Sequence, residues 1–200
     1  MTTDRAKIAL VTGSSRGLGK NTALALAKKG VDVIVTYFNS EAEANRVVAE
    51  IVELGGKAVA LRLDTADINT FDGFVVQLQQ ALQQTWQTEQ FDFLVNNAGT
   101  GVHAPFAETT EAEFVGEASL KENRMVNIHL KGVFFLTQKL LPSIADGGRI
   151  INISSGLARF ALPGYAAYAS MKGAIEVLTR YLAKELGHRQ IAVNTLAKPL

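Results

Sequence analysis

Short apolar runs alternate along the whole chain with longer stretches of helical pattern, and this alternation is the feature that most constrains the fold. The runs are rich in β-branched residues and nearly continuous in apolar character, which is typical of strands buried on both faces. Each crossover between parallel strands needs a helix-sized connection, so the pattern predicts a doubly wound parallel sheet flanked by helices. The six predicted strands are Ile8–Val11, Val33–Thr36, Ala58–Leu61, Phe93–Val95, Ile150–Ile153 and Ile191–Val193.

Local signals place the helices between these strands. Ser40, followed three residues later by Glu43, predicts a capping box at the start of the second helix. Gly55 and Gly56 after Leu54 offer a left-handed stop at its end. Three further helices are expected from about Ile68 to Gln87, around Asn127 to Leu141, and from about Ala166 to Leu186.

Composition narrows the class of protein. Two hundred residues with 48% hydrophobic content suffice for one core, so we expect a single domain over residues 1–200. A net charge of +1 without a basic run argues against nucleic acid or an anionic membrane as a partner. The chain has no cysteine, which excludes disulfides and zinc-thiolate sites, and its three histidines are not clustered, so no metal site is expected. No segment reads as a signal peptide or a membrane span, and we expect a cytoplasmic protein.

A glycine-rich loop follows the first strand and reads Thr12-Gly13-Ser14-Ser15-Arg16-Gly17-Leu18-Gly19. Glycines at this place let the backbone approach a pyrophosphate and direct a helix N-terminus at its charge. The spacing differs from the commoner G-x-G-x-x-G fingerprint, and such a turn can also be a mere tight connection. We expect a phosphate site formed by Gly13, Ser15, Arg16, Gly17, Leu18 and Gly19.

Tyr168 and Lys172 lie one helical turn apart, thirteen residues after Ser155. Positions i and i+4 share a helix face, roughly 5 to 6 Å apart at Cβ, so the lysine charge can act on the phenol. A nearby cation favours the ionised phenol and lowers its pKa, which makes Tyr168 a candidate general acid and base. Ser155 ends a predicted strand, where its hydroxyl can polarise a substrate carbonyl.

The order of the glycine loop, Asn96-Asn97-Ala98-Gly99, Ser155, Tyr168 and Lys172 resembles the classical short-chain dehydrogenase/reductase family, and 3-oxoacyl-ACP reductase-like members in particular. The resemblance implies a Rossmann-type three-layer sandwich and hydride transfer between nicotinamide C4 and a carbonyl or alcohol substrate. It implies that Tyr168 exchanges the proton, Ser155 holds the oxygen, and Lys172 binds the ribose hydroxyls while lowering the Tyr168 pKa.

Other positions carry over from the same resemblance. Asp64 matches an acidic position near the adenine, with Thr65 beside it, although an Asp there is also an ordinary cap. Asn96, Ala98 and Gly99 match the motif that supports the sheet and lines the cofactor, with Asn96 the best candidate for contact. Asn127 matches the helix asparagine that holds a water and connects Lys172 to solvent, and we assign it to the catalytic group with Ser155, Tyr168 and Lys172.

The end of the second strand bears on the choice of cofactor. An NAD site usually carries an acidic residue there, but this chain reads Thr36-Tyr37-Phe38-Asn39-Ser40. No carboxylate would repel a 2′-phosphate, and the Arg16 guanidinium suits one. We therefore predict NADP(H) over NAD(H), with Asn39 and Ser40 in the site. The alternative is that Glu41 or Glu43 plays the acidic role.

An apolar pocket mouth is expected beside the candidate tyrosine. Its predicted lining is Val102, Leu157, Ala158, Phe160 and Leu162, with Arg159 nearby for an acidic group. Tyr165 is a rival phenol, but Ala169 lies four residues after it, so we expect Tyr165 to line this pocket with Pro163. His103 could face the substrate or be an ordinary solvated residue.

Two departures from the family pattern leave alternatives open. The segment Val115–Val126 is longer than usual before Asn127, which makes the expected homodimer or homotetramer less secure. After Ala197 the family usually continues with a substrate-covering segment, a helix and a final strand, whereas this sequence reads Lys198-Pro199-Leu200. The leading hypothesis is an NADPH-dependent carbonyl reductase. The alternative is an NADP(H)-binding module with a sensing or interaction role, and a doubly wound protein without nicotinamide chemistry is the least favoured interpretation.

Overall fold

A six-stranded, entirely parallel sheet forms the centre of the computed structural model, which describes residues 5–101, 103–115 and 125–198. The strand order is β3-β2-β1-β4-β5-β6, the doubly wound order that the alternating pattern predicts, so the fold class is confirmed. The strands are β1 (Ile8–Val11), β2 (Asp32–Tyr37), β3 (Ala58–Arg62), β4 (Phe91–Asn96), β5 (Ile144–Ser155) and β6 (Ala192–Lys198).

Helices cover both faces of the sheet and give three layers. One apolar core lies under α1 and α2, and the other lies under α3, α5 and the end of α6. Strands enclosed in this way have no solvent face, which explains why their sequences are almost continuously apolar. The helices are α1 (Gly17–Ala27), α2 (Glu41–Glu53), α3 (Phe71–Trp86), α4 (Glu111–Val115), α5 (Gly132–Leu140) and α6 (Ala166–Glu185).

The boundaries of α2 follow the predicted signals, with one exception. Ser40 occupies the N-cap position, but its side chain makes no capping hydrogen bond, so the capping box is not formed. At the other end Gly55 adopts φ +86°, the left-handed conformation expected of a glycine stop. The next predicted helix is split, because a 3-10 turn at Ile68–Thr70 precedes α3.

Strand β5 is longer than the predicted run because its first part contains an irregularity. Ile144 pairs with Phe91 and Arg149 pairs with Phe93, so extra residues bulge out between these two pairs. Gly147, at φ +76°, makes the turn within the bulge. From Arg149 onward the register is regular, and it carries Ser155 to the carboxyl end of the sheet beside β6.

The strand order reverses between β1 and β4, which pair through Val11 and Val95. The loops that follow these two strands therefore leave the same edge of the sheet as neighbours, and a crevice opens between them. Most of the long segment Val115–Val126 lies outside the described residues, and the helix that leads into α5 is described from Met125. Among the residues described, none of the helices has the length and apolar character needed to cross a membrane.

Candidate active site

A cleft of about 560 Å³ lies at the carboxyl edge of the sheet, above the point where the strand order reverses. It collects most of the residues that sequence analysis assigned to a cofactor. Fourteen of these line it: Gly13, Ser15, Arg16, Gly17, Leu18, Gly19, Asn39, Ser40, Asp64, Thr65, Ala98, Gly99, Tyr168 and Lys172. Its wall also contains residues that were not predicted: Phe38, Leu63, Asn97, Thr100, Gly101, Ile128, His129, Ile153 and Ser154.

The glycine loop needs its glycines for two reasons, backbone conformation and close packing. Gly13 and Gly17 have φ values of +64° and +58°, a conformation that other residues rarely adopt. Gly19 is required by packing, since a Cβ there would lie 2.3 Å from the carbonyl oxygen of Gly13. Helix α1 begins at Gly17 with no side-chain cap and no acidic residue in its first turn. Its first N–H groups are therefore suited to bind a phosphate.

Hydrogen bonds fasten this loop to the loop after β4. The Thr12 hydroxyl oxygen accepts from the backbone N–H groups of Asn97 and Ala98, both at 2.9 Å. The Asn97 amide donates to the carbonyl oxygen of Thr12 at 2.8 Å. The two loops thus form one rigid wall of the cleft. Asn97 was expected here only as part of the motif Asn96-Asn97-Ala98-Gly99, and Thr12 received no role, although its position beside Gly13 was a signal.

Asn96 does not line the cleft, although it was the preferred contact in its motif. Its buried amide nitrogen donates to Asn152 Oδ1 at 2.8 Å and to Thr137 Oγ1 at 3.1 Å. Successive residues of a strand point to opposite faces, so Asn96 ties β4 to β5 and α5 while Asn97 reaches the cleft. These bonds agree with the supporting role of the motif, and the contact of Asn96 with a cofactor stays a prediction.

No carboxylate from β2 or the start of α2 reaches the cleft. Phe38, Asn39 and Ser40 line it here, whereas Glu41 interacts with the Tyr37 hydroxyl and Glu43 lies 3.8 Å from Arg46. The alternative in which an acidic residue of α2 binds a ribose therefore finds no support. After the neighbouring strand β3, Asp64 lines the cleft and accepts a hydrogen bond from the backbone N–H of Ala66 at 3.0 Å.

Ser155, Tyr168 and Lys172 converge at the other end of the cleft. Ser155 is the last residue of β5, and its hydroxyl accepts from the Leu157 N–H at 3.2 Å. The Ser155 side chain lies close enough to the Tyr168 phenol to lower its pKa. Lys172 is buried, and its Nζ lies 5.5 Å from the centre of the Tyr168 ring. These three side chains form the group that sequence analysis placed together.

The pKa values of this group differ from the expectation. Burial raises the pKa of Tyr168 above its ordinary value of 10.0, and the neighbouring Ser155 side chain only partly offsets that rise. The expected lowering by Lys172 is not seen, and the Lys172 Nζ donates to the Ile153 carbonyl oxygen at 2.8 Å. Burial also lowers the pKa of Lys172 to about 8.

Asn127 lies on the helical segment that leads into α5. It begins a π-helical turn, Asn127–Lys131, and its carbonyl oxygen accepts the N–H of Gly132, but it does not line the cleft. Residues two apart on a helix point in nearly opposite directions, so His129 faces the cleft instead. The assignment of Asn127 to the catalytic group, through a water that connects Lys172 to solvent, stays a prediction.

His129 is the main residue that sequence analysis missed. Its ring stands edge-on to the Tyr168 ring, with centres 5.3 Å apart. Burial, and then the charge of Lys172, lower the pKa of His129 to about 4, so the ring is neutral at physiological pH. The available signal was a histidine within an otherwise apolar helical segment, which sequence analysis considered only as a metal ligand. Across residues 5–101, 103–115 and 125–198, no group of three or more metal-ligating side chains is present.

An apolar pocket of about 560 Å³ adjoins the cleft at the start of α6. Leu157, Ala158, Arg159, Phe160, Leu162, Pro163 and Tyr165 line it as predicted, and Val102 lies outside the described residues. His103 also lines it and stacks edge-on against Tyr165, with ring centres 4.9 Å apart. Arg159 lies 3.7 Å from Glu176, which reduces its availability for an acidic ligand.

Comparison with known proteins agrees with this geometry. The family model described as short chain dehydrogenase matches residues 7–199. Hydroxynaphthalene reductase-like protein Arp2 of Metarhizium majus is 38% identical over 192 residues, which cover 96% of this chain and 67% of that protein. The structure of the landomycin C-6 ketoreductase LanV with bound NADP and rabelomycin superposes with a TM-score of 0.88 at 36% identity, covering 96% of this chain and 75% of that one. The promiscuous reductase LugOII, which catalyses keto-reduction at C1 during lugdunomycin biosynthesis, superposes with a TM-score of 0.89 at 38% identity, covering 96% and 73%.

Proposed function

The chain belongs to the short-chain dehydrogenase family, and from this premise we propose that it is an NADPH-dependent reductase of ketones, with Tyr168 as the general acid. The observation that carries the proposal is the position of Tyr168. Its hydroxyl meets Ser155, its ring lines the phosphate-binding cleft, and the apolar pocket begins on the preceding turn of the same helix. A carbonyl group held there would lie between a proton donor and a bound cofactor.

The residues of the cleft fit NADPH. The glycine loop and the uncapped start of α1 suit the pyrophosphate. Arg16 lines the same wall as Asn39 and Ser40, where no carboxylate would repel a 2′-phosphate. LanV, which resembles this chain, was crystallised with NADP, and we take the same cofactor to be used here.

The chain's own groups perform the proton chemistry. Bound NADPH supplies a hydride to the carbonyl carbon. The Tyr168 phenol, whose pKa is raised by burial, is protonated at neutral pH and can donate its proton to the carbonyl oxygen. The Ser155 hydroxyl holds that oxygen. The buried ammonium of Lys172, which lines the same cleft, would bind the ribose hydroxyls of the cofactor.

The substrate is inferred from the adjoining pocket. Its lining is mostly apolar and aromatic, including Phe106, Phe160 and Leu162, and its one full cation, Arg159, is near Glu176. Such a pocket favours a ketone whose body is apolar or aromatic over a highly charged one. LanV was crystallised with rabelomycin, and the Metarhizium relative is named for hydroxynaphthalene reduction, which agrees with this class.

We also propose that two or more copies of the chain associate through α5 and α6. Large apolar side chains are exposed on these helices, namely Phe134, Phe135, Val177 and Tyr181. α6 packs against the π-helical turn that leads into α5, so the two helices present neighbouring outer surfaces. Exposed apolar surface of this kind is typical of a protein interface.

The test combines cofactor binding and turnover in one sample. NADPH affinity is measured by fluorescence titration, and bicyclic and tricyclic aromatic ketones and simple aliphatic ketones are then added while NADPH oxidation is followed. Tyr168→Phe should lower kcat by at least about a hundredfold, the scale of general acid catalysis, and leave the NADPH Kd unchanged. Tyr165→Phe removes a neighbouring phenol that contacts His103 and serves as the matched control. Full turnover by Tyr168→Phe would refute the mechanism, and NADPH binding without turnover by any form would favour a cofactor-binding module.

A further inference from the structure

His129 is held in the wall of the cleft by an anchor on one side of its ring. It is 1% exposed, and its Nε2 lies 2.7 Å from the carbonyl oxygen of Thr100. Gly99 leaves room for the ring, since a Cβ at that position would lie 2.6 Å from His129 Cε1. The loop after β4 and the π-helical turn before α5 are therefore built around this imidazole.

The anchor determines what the other ring nitrogen can do. Thr100 presents both its carbonyl oxygen, at 2.7 Å, and its N–H, at 3.2 Å, to Nε2. Two lone pairs would repel at 2.7 Å, so the shorter contact assigns the proton to Nε2, which donates it to the Thr100 carbonyl oxygen. A neutral imidazole has only one N–H, and Nδ1 is then a pure hydrogen-bond acceptor. Nδ1 is buried, and it has no hydrogen-bond partner among the residues that the structure describes. Buried acceptors in native proteins are nearly always satisfied, so this one points to a missing donor.

The surroundings of His129 limit the identity of that donor. Tyr168 packs edge-on against the ring, and Lys172 is close enough for its charge to act on it. All three side chains line the same cleft, and Lys172 already donates to Ile153. A molecule bound in this cleft beside Lys172 is therefore placed to supply the donor to Nδ1.

We propose that His129 is a positioning residue of the reductase, whose Nδ1 accepts a hydrogen bond from an O–H group bound in the cleft beside Lys172. The O–H group belongs to a ribose hydroxyl of the nucleotide cofactor or to a water that enters with it. The bond fixes the imidazole edge against Tyr168 and so fixes the phenol in its proton-donating orientation. This inference rests on the proposed function for its catalytic effect, but not for the hydrogen bond itself.

Two substitutions separate the two ring nitrogens. The amide of His129→Asn reaches the Nδ1 position and can accept there, but is too short to reach Thr100 as Nε2 does. The amide of His129→Gln reaches the Nε2 position and can donate to Thr100, but leaves no acceptor at Nδ1. We expect His129→Gln to lower kcat about tenfold or more, the scale of one lost hydrogen bond, with an unchanged KM for the ketone. We expect His129→Asn, which keeps the acceptor at the Nδ1 position but loses the ring edge and the Thr100 anchor, to lose less kcat than His129→Gln.

A second readout does not need turnover. With ¹⁵N-labelled histidine, the Nδ1 resonance of His129, identified by its absence in His129→Gln, should shift upfield when NADP⁺ binds, as it does when an unprotonated nitrogen accepts a hydrogen bond. If NADPH binds more weakly to His129→Gln but not to His129→Asn, the donor belongs to the cofactor. If the NADPH Kd is unchanged in both variants, the donor is a water. Equal kcat losses in both variants, a larger loss in His129→Asn, or an Nδ1 resonance that does not move would overturn the proposal. If no form reduces ketones, the proposed function fails, while the Nδ1 resonance still decides the hydrogen bond.

Discussion

Lys172 Nζ donates a hydrogen bond to the backbone carbonyl oxygen of Ile153 at 2.8 Å. The lysine of α6 is therefore tied to β5, and its ammonium lies 5.5 Å from the centre of the Tyr168 ring. Its side chain is almost fully buried, and that burial lowers its pKa to about 8. The fold thus holds a cation that it partly disfavours, and this should be measurable as a dependence of stability on pH.

The first prediction concerns that dependence. Between about pH 8 and pH 10.5 the unfolded chain keeps the Lys172 proton while the folded chain has lost it. The unfolded state then binds more protons, so this group raises the free energy of unfolding as the pH rises through the window, by roughly 3 kcal/mol in all. Denaturant titrations of the wild type and Lys172→Met at a series of pH values isolate the effect. The difference in unfolding free energy should climb across the window, and a flat difference would contradict the prediction.

The second prediction compares two glycine-to-alanine changes. In Gly19→Ala the new methyl group would overlap the carbonyl oxygen of Gly13 at 2.3 Å and the Asn97 amide at 2.5 Å. We expect a loss of about 1 to 3 kcal/mol in unfolding free energy, as for an overpacked site, and a weaker NADPH Kd. Gly73→Ala on α3 is the matched control, because a Cβ there meets nothing within 4 Å. It should stabilise the protein by about 0.5 to 1 kcal/mol, and NADPH binding should not change.

The sequence predicts those parts of the fold whose structure is determined by neighbouring residues in the chain. Each central strand is recognisable because a buried parallel strand must be apolar along its whole length. The bulge in β5 could not be predicted in the same way. Asp146-Gly147-Gly148 reads as an ordinary turn before a strand, and only the pairing of Ile144 with Phe91 shows that the strand begins earlier. This pairing depends on β4, a distant segment of the sequence, so the residues of β5 alone do not indicate it.

The site shows the same division between local and distant causes. Tyr168, Lys172 and Ser155 could be brought together because helical spacing and strand ends are local facts. The rise in the Tyr168 pKa could not be predicted, because it depends on how far the assembled fold buries the phenol. His129 was missed because the π-helical turn decides which residue of its segment faces the cleft.

The third prediction tests cofactor choice through Arg16. This residue is exposed at the start of α1 and lines the cleft with Asn39 and Ser40. We expect Arg16→Ala to raise the KM for NADPH about tenfold, the scale of one charged hydrogen bond to phosphate, and to leave the KM for NADH unchanged. Arg46→Ala, which removes an exposed arginine of α2 near Glu43, is the control. An equal rise for both cofactors would show that Arg16 does not read the 2′-phosphate.

The fourth prediction tests association through α5 and α6. Phe134 and Tyr181 are 44% and 65% exposed, which is a large apolar surface for neighbouring helices to leave in water. If a second copy covers this surface, a charge placed there must be buried without a partner and association should fail. We expect sedimentation velocity to show a dimer or larger assembly for the wild type and a monomer for Phe134→Glu/Tyr181→Glu. Val52→Glu, at a residue of α2 that is 56% exposed, should leave the assembly intact. A monomeric wild type at micromolar concentration would show that this surface serves something other than self-association.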